Sequence, residues 1–211
     1  MGLRERKKQQ TRRALQEAAV RLFGEKGYDN TTVEEIAEAA DVSYRTFFRY
    51  FASKEEVLEA DFTDLIERMT EAVSGRGDTP LFDVLMSVGT EMCREFEERG
   101  DFVVERNRIV LSTPVLAARV LLLQADLHTR LFGLVLDELG LSGDAAIGVR
   151  LVMGSISGVF DAALAIFMET EGEQSLVRLF EDGIRTIDPI ARPVFDRLER
   201  EARRPAGMGA G

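Results

Sequence analysis

Apolar residues recur three or four positions apart along nearly the whole chain of 211 residues. This spacing is that of one face of an α-helix, whereas a half-buried strand alternates apolar and polar residues. The sequence contains no alternating run bounded by hairpin turns. The pattern therefore predicts an all-α fold.

Four helices are expected in the N-terminal part of the chain, and two of them are short. Thr32 with Glu35, and Ser53 with Glu56, have the spacing of a capping box, a pair of side-chain to backbone hydrogen bonds that starts a helix. Asp41-Val42-Ser43 predicts a tight turn between the two short helices. We expect these helices over about 8–26, 33–40, 44–50 and 53–73.

The rest of the chain predicts a larger helical body. Glycine, proline and capping residues separate helices that we expect over about 80–98, 102–112, 114–139, 144–169 and 173–187. Residues 189–211 are expected to form a charged tail with a disordered end. The predicted organisation is a head, 1–54, and a body, 55–188, which begins with a connecting helix over 55–73.

The two short helices and their turn, supported by a longer helix on each side, predict a helix-turn-helix head. In the second short helix, Phe47 and Phe51 are four residues apart and should face the core. Tyr44, Arg45, Phe48 and Arg49 then face outward. Arginine bonds guanine through two hydrogen bonds, and an aromatic edge packs on a thymine methyl group. This composition predicts a helix that reads double-stranded DNA in the major groove.

The segments Leu22–Tyr28 and Thr31–Lys54 resemble the head of TetR-family regulators over about 45 residues. The resemblance implies a three-helix helix-turn-helix head and a helical bundle body for ligand binding and dimerisation. It also implies that Tyr44, Arg45 and Phe48 face base edges, and that a second set faces phosphates: Thr31, Thr32, Thr46, Arg49, Tyr50 and Lys54. Asp41 departs from the family, which usually has glycine in this turn, but aspartate tolerates the left-handed conformation.

The formal net charge of −10 argues against a nucleic-acid partner until its distribution is considered. Residues 1–13 carry a net charge of +5 and residues 1–54 a net charge of +3, which leaves −13 for the rest. A basic head on an acidic body allows one end to approach phosphates. The basic arm, 4–13, is either a solvated tail or a contact to phosphates or the minor groove.

The segment 144–169 is apolar on too many faces for a helix that is exposed on one side, and its glycines allow another helix to approach closely. Paired with 173–187 across a two-fold axis, it predicts half of an intermolecular four-helix bundle. The alternative is a buried helix in a monomer. A homodimer with two heads predicts a palindromic operator. The expected dimer contacts are Val152, Ile156, Val159, Phe160, Ala163, Phe167, Leu176, Phe180 and Ile184.

The helices from 80 to 169 are expected to enclose a small-molecule effector. Its predicted lining is apolar with one cation: Val88, Met92, Phe96, Phe102, Arg106, Ile109, Leu123, Leu127, Leu131 and Phe160. The alternative for each of these residues is that it packs in the hydrophobic core and contacts no effector.

The stretch Glu105–Leu116 is similar to body segments of TetR-family members associated with acyl-CoA-like ligands. That similarity implies that Arg106 or Arg108 meets an anionic head group while apolar side chains surround the acyl chain. The alternative is that these arginines pair with the glutamates at 95, 97 and 98.

Other chemistry finds little support in the sequence. His128 and Cys93 are the only histidine and cysteine, too few for a His-rich or thiolate metal site, and neither lies in a catalytic motif. We expect no metal, no cofactor and no enzyme activity. The segment 145–168 is long enough to span a membrane, but it contains Arg150 and Asp161. Placing either charge near the centre of a bilayer would cost roughly 2.5–3.5 kcal/mol, which argues against a membrane span.

The sequence thus predicts a cytoplasmic, ligand-responsive transcriptional repressor that an apolar or amphipathic effector releases from its operator. Two other classes are the alternatives: a small-molecule or protein-binding module that has lost DNA recognition, and an enzyme. Arg45, Arg49 and Lys54 argue against the first of these.

Overall fold

The computed structural model describes residues 2–143 and 145–202, and in these ranges nine α-helices follow one another. They are α1 (Leu3–Lys26), α2 (Val33–Ala39), α3 (Tyr44–Tyr50), α4 (Glu56–Ser74), α5 (Leu81–Glu98), α6 (Gly100–Ser112), α7 (Pro114–Leu139), α8 (Ala145–Glu169) and α9 (Leu176–Ala202). The predicted all-α fold is confirmed. The expected disordered end, 205–211, lies outside the described residues.

Both predicted capping boxes start a helix, but they differ in detail. At α2 the Thr32 hydroxyl accepts from the Glu35 amide at 3.3 Å, and the Glu35 carboxylate accepts from the Thr32 amide at 3.0 Å. Before α4 the Ser53 hydroxyl accepts from the Glu56 amide at 3.4 Å, while the Glu56 carboxylate accepts from the amide of Ala52. The second box is therefore closed one residue earlier than the sequence indicated.

α1 begins at Leu3, five residues before the expected start, so the basic arm is helical. Arginine, lysine and glutamine all favour helix, and the segment from 4 to 10 consists almost wholly of them. Arg4, Arg6 and Lys7 are exposed on these first turns.

α9 also extends beyond its expected end, because one helix runs from Leu176 to Ala202 through Pro189 and Pro193. Proline removes a backbone donor and usually breaks a helix. Here the apolar spacing continues past it, and Ala191, Phe195 and Leu198 are buried. Burial of this stripe offsets the cost of the prolines, so most of the predicted tail belongs to the folded body.

The described helices form two compact units, and α4 and α7 contribute to both. The first unit contains the chain up to Asp64 together with Asp101–Ala125. Its core gathers apolar side chains of α1 to α4, including Phe23, Ile36 and Phe47, and adds Ile109, Val110 and Leu116 from α6 and α7. The helix-turn-helix head therefore shares one core with α6 and the start of α7.

The second unit contains Leu65–Gly100 and the chain from Asp126 onward. Within it α9 packs closely on α5 and α8, at two glycines. A Cβ atom built on Gly89 would lie 2.8 Å from the Phe180 ring, and one built on Gly183 would lie 2.5 Å from Val159. α8 is long and apolar enough to cross a membrane by length and composition, and here one of its faces packs on α9.

Candidate nucleic-acid interface

α3 presents two different faces. Phe47 is fully buried and its ring centroid lies 5.8 Å from that of Phe51, which is also buried. On the other side Tyr44 is 51% exposed and Phe48 is 44% exposed, with their ring centroids 4.8 Å apart. Exposing two large aromatic rings costs free energy unless a partner covers them. The predicted division of this helix into an inner and an outer face is confirmed.

The turn before α3 fixes the direction of this outer face. Asp41 has a φ of 54°, the left-handed conformation that the sequence predicted at this position. The Val42 amide donates to the Ala37 carbonyl at 3.0 Å, and the Ser43 hydroxyl accepts from the Thr46 amide at 3.1 Å. The turn and the cap together hold α3 rigidly on α2.

The exposed face of α3 is also cationic. Arg45 and Arg49 are both exposed, and the seven residues of α3 include no acidic side chain. The Arg49 guanidinium lies 5.2 Å from the centroid of the Tyr50 ring, which is half-buried. A rigid helix that combines exposed cations with exposed aromatic edges fits the major groove of DNA.

The start of α2 carries Thr32, which is exposed and engaged in its capping box. The hydrogen bond from Lys26 and the one from the Thr32 amide lower the pKa of Glu35 to about 2. Glu35 is therefore ionised at neutral pH and remains bonded to the helix terminus. Thr46, at the start of α3, is half-buried, and its hydroxyl lies 2.8 Å from the Ser43 hydroxyl.

Two side chains that were expected at phosphates are used inside the head. The hydroxyl of Thr31 is buried and donates to the carbonyls of Leu22, at 3.3 Å, and Gly27, at 3.0 Å. The Lys54 ammonium donates to the carbonyls of Tyr28, at 2.7 Å, and Thr31, at 3.0 Å. The phosphate contacts expected of Thr31 and Lys54 stay predictions, and in this structure the two side chains donate to carbonyls within the head.

The predicted dimer contacts fall into two groups, one buried between α8 and α9 and one half-buried. Five of the nine are buried within the single chain because α8 packs on α9: Val152, Ala163, Phe167, Leu176 and Phe180. Ile156, Val159, Phe160 and Ile184 are half-buried. The exposed face of α8 carries Ile147, Leu151, Gly154, Gly158, Ala162 and Ile166 instead. The five buried side chains therefore stabilise the chain itself, and the dimer contacts of the four half-buried ones stay predictions.

The predicted effector lining falls in both compact units. Phe102, Arg106, Ile109 and Leu123 belong to the first, where Ile109 is part of the core and Phe102 lines a groove of about 420 Å³ against α1. Val88, Met92, Phe96, Leu127, Leu131 and Phe160 belong to the second. There the Phe96 and Phe160 rings lie 6.2 Å apart. Arg106 is buried and Arg108 pairs with Glu105 within α6.

A polar cluster that includes Lys54 was not foreseen. The Tyr28 hydroxyl donates to the Glu55 carboxylate, and Arg119 of α7 donates to the Glu59 carboxylate of α4. Burial, followed by the hydrogen bond to Glu55, raises the pKa of Tyr28. Arg119 lies 60 residues from its partner, so no local spacing indicated the contact.

An exposed basic and aromatic helix, held by a capped turn on a three-helix support, defines a helix-turn-helix DNA-binding protein. Comparison with known proteins agrees. The sequence profile described as "Bacterial regulatory proteins, tetR family" matches residues 15–60. The HTH-type transcriptional regulator TcmR of Streptomyces glaucescens is 33% identical over 165 residues, which cover 75% of this chain and 73% of that protein.

Two further relatives extend the match. The HTH-type transcriptional repressor AcnR of Corynebacterium glutamicum is 28% identical, over 84% of this chain and 94% of that protein. The crystal structure of Thermus thermophilus FadR in complex with lauroyl-CoA has a similar fold, with a TM-score of 0.54, 23% identity and coverage of 83% of this chain and 92% of that one. The chain belongs to the TetR family of transcriptional regulators, which are DNA-binding proteins rather than enzymes.

Proposed function

We propose that the chain is a cytoplasmic, ligand-responsive repressor that binds a palindromic operator as a homodimer. One observation carries this proposal: Tyr44, Arg45 and Phe48 are exposed together on a helix whose other face is locked into the core by Phe47. The exposure of this outer face supports the proposal that Arg45 bonds guanine and that Phe48 contacts a thymine methyl. Arg49 and Thr32 are the proposed phosphate contacts beside it.

The exposed face of α8 supports the proposed homodimer. Ile147 and Leu151 are each 66% exposed, and the glycines at 154 and 158 continue the same face. A helix surface of exposed aliphatic side chains next to glycines suits close packing against a second helix. A homodimer with two-fold symmetry carries two copies of α3, which is why we propose a palindromic site.

We propose an apolar or amphipathic effector, of which acyl-CoA-like molecules are one class. It would bind in the second unit, among the apolar side chains of α5, α7 and α8 that include Met92, Phe96 and Leu131. The complex of T. thermophilus FadR with lauroyl-CoA motivates this choice of class. The effector would release DNA only in so far as it binds the DNA-free conformation more tightly.

The base-contact assignment is tested by replacing Arg45 with alanine in the full chain. An operator is first selected from random DNA, and dissociation constants are measured for it and for each single-base change. We expect Arg45→Ala to lose about 1–3 kcal/mol of discrimination at the base pair that it contacts. Arg185→Ala is the matched control, because Arg185 is exposed on α9 and pairs with Asp182 on that helix. Parent-like discrimination by Arg45→Ala would refute the assignment.

A further inference from the structure

The loop between α1 and α2 is tied to the start of α4 by two side chains. The Tyr28 hydroxyl donates to the carboxylate of Glu55, and the Lys54 ammonium donates to the carbonyls of Tyr28 and Thr31. The ammonium also lies 4.2 Å from the centroid of the Tyr28 ring. These contacts fix the residues that immediately precede the capping box of α2.

One turn further along α4, Glu59 extends the connection to α7. Its carboxylate accepts hydrogen bonds from Nε of Arg119 and, at 3.2 Å, from Nη2. Glu59 is only 7% exposed, and a buried carboxylate is costly unless a cation and hydrogen bonds compensate it. Arg119 therefore supplies the positive charge and the hydrogen bonds that allow Glu59, at the start of α4, to be buried.

The charge of Arg119 also acts on Glu55. Burial raises the pKa of Glu55, but the hydrogen bonds from Ser53 and Tyr28 together with the charge of Arg119 outweigh it, so the pKa lies below its usual value. The hydrogen bond to Glu59, and then the charge of Glu55, raise the pKa of Arg119. The guanidinium that bonds Glu59 thus also favours the charged form of Glu55; it is about half-exposed and belongs to the same compact unit.

We propose that Arg119 is a positioning residue for DNA binding. Through Glu59 it fixes the start of α4, and the neighbouring Glu55 and Lys54 fix the loop that precedes α2 and, behind it, α3. Lys54 belongs to this cluster, so its ammonium stabilises the head from within. The inference rests on the proposed function, because its consequence is operator affinity that depends on a residue of α7.

A positioning residue and a phosphate contact differ in salt dependence. Each lost phosphate contact flattens the slope of log K against log salt by about 0.9, whereas a loosened head weakens binding equally at all salt concentrations. We expect Arg119→Gln to raise the operator dissociation constant about three- to tenfold with an unchanged slope between roughly 50 and 200 mM salt. Arg119→Lys, which keeps the charge but loses the two-point hydrogen bond, should fall between Arg119→Gln and the parent.

Two variants sharpen the test. Arg130→Gln is the matched control, because Arg130 is exposed on the same helix and pairs with Asp126 one turn away; it should bind like the parent. Tyr28→Phe removes only the hydroxyl that meets Glu55, and it should weaken binding with the same slope. Combined with Arg119→Gln, its effect should be less than additive because both act on one cluster.

The same variants are followed without DNA by hydrogen exchange of the amides in 27–32. Arg119→Gln should accelerate this exchange and Arg130→Gln should not. The proposal is overturned if Arg119→Gln leaves affinity and exchange unchanged, or if it flattens the salt slope by about one contact, since Arg119 would then meet a phosphate itself. If the parent binds no selected DNA while Arg119→Gln still accelerates exchange, the proposed function fails and the positioning of the loop stands.

Discussion

Replacing the glycines on the exposed face of α8 by alanine tests whether this face is open to solvent or buried in a dimer. A Cβ atom built on Gly154 or Gly158 meets no atom of the described residues within 4 Å beyond the backbone of its own helix. Alanine favours helix over glycine by about 1 kcal/mol per residue. If this face were open to solvent, Gly154→Ala with Gly158→Ala would therefore raise the free energy of unfolding by about 2 kcal/mol.

If a second chain packs on this face, the same substitutions should weaken dimerisation. The added methyl groups would lie where the partner's helix approaches, and overpacking costs about 1–3 kcal/mol per site. Two-fold symmetry introduces each substitution twice, so a single glycine replacement should cost the dimer at least about 2 kcal/mol. That corresponds to a dissociation constant raised at least about 30-fold.

The assay is sedimentation velocity over a range of protein concentrations, combined with urea unfolding at the lowest of them. Gly133→Ala is the control, because Gly133 lies within α7 and a Cβ atom there likewise has open space among residues 2–143 and 145–202. The control should show the gain from helix propensity without a change in association. Variants at 154 and 158 that dimerise as tightly as the parent would refute the proposed interface.

Two further predictions concern the stability and reactivity of the second unit. Glu199→Gln should lower the free energy of unfolding by about 3 kcal/mol. The Glu199 carboxylate accepts from Arg76 at 2.7 Å and from the Leu81 amide at 3.2 Å, and the side chains of Arg76 and Glu199 are at most 10% exposed. Urea unfolding checks this with Glu201→Gln, at an exposed position, as the control, and equal losses in the two variants would contradict it. Burial, followed by the charges of Glu97 and Glu181, raises the pKa of Cys93 to about 12. The native thiol should therefore resist iodoacetamide at pH 8, where about one molecule in 10,000 carries the thiolate; fast labelling before urea is added would count against its burial.

The part of the interface that could be predicted is the part that depends on local spacing. The four-residue separation of Phe47 and Phe51 was enough to orient α3, and Asp41 was enough to place a left-handed residue in the turn. Capping residues likewise placed the start of α2 at Val33, whereas α4 begins at Glu56, three residues after its expected start. These features depend on neighbours within one or two helical turns.

Long-range packing was not open to the same reasoning. α8 is apolar on most of its surface, so its sequence could not show that Phe167 is buried while Ile147 remains exposed. Pro189 suggested the end of a helix, but burial of Phe195 and Leu198 decided otherwise. The Arg119–Glu59 contact depends on how α7 crosses α4, which single-sequence periodicity does not specify.

The shared core of α1 to α4 with α6 and the start of α7 has a consequence for building chimeric regulators. A fusion that joins residues 1–54 to a foreign sensor would leave behind Ile109, Val110 and Leu116, on which the head packs. Burying three aliphatic side chains is worth about 5 kcal/mol, a large part of the stability of a small domain. A transplant that keeps its specificity should carry these side chains with it, exchanging the sensor within α4, after α5 and within α7 rather than at the end of the helix-turn-helix.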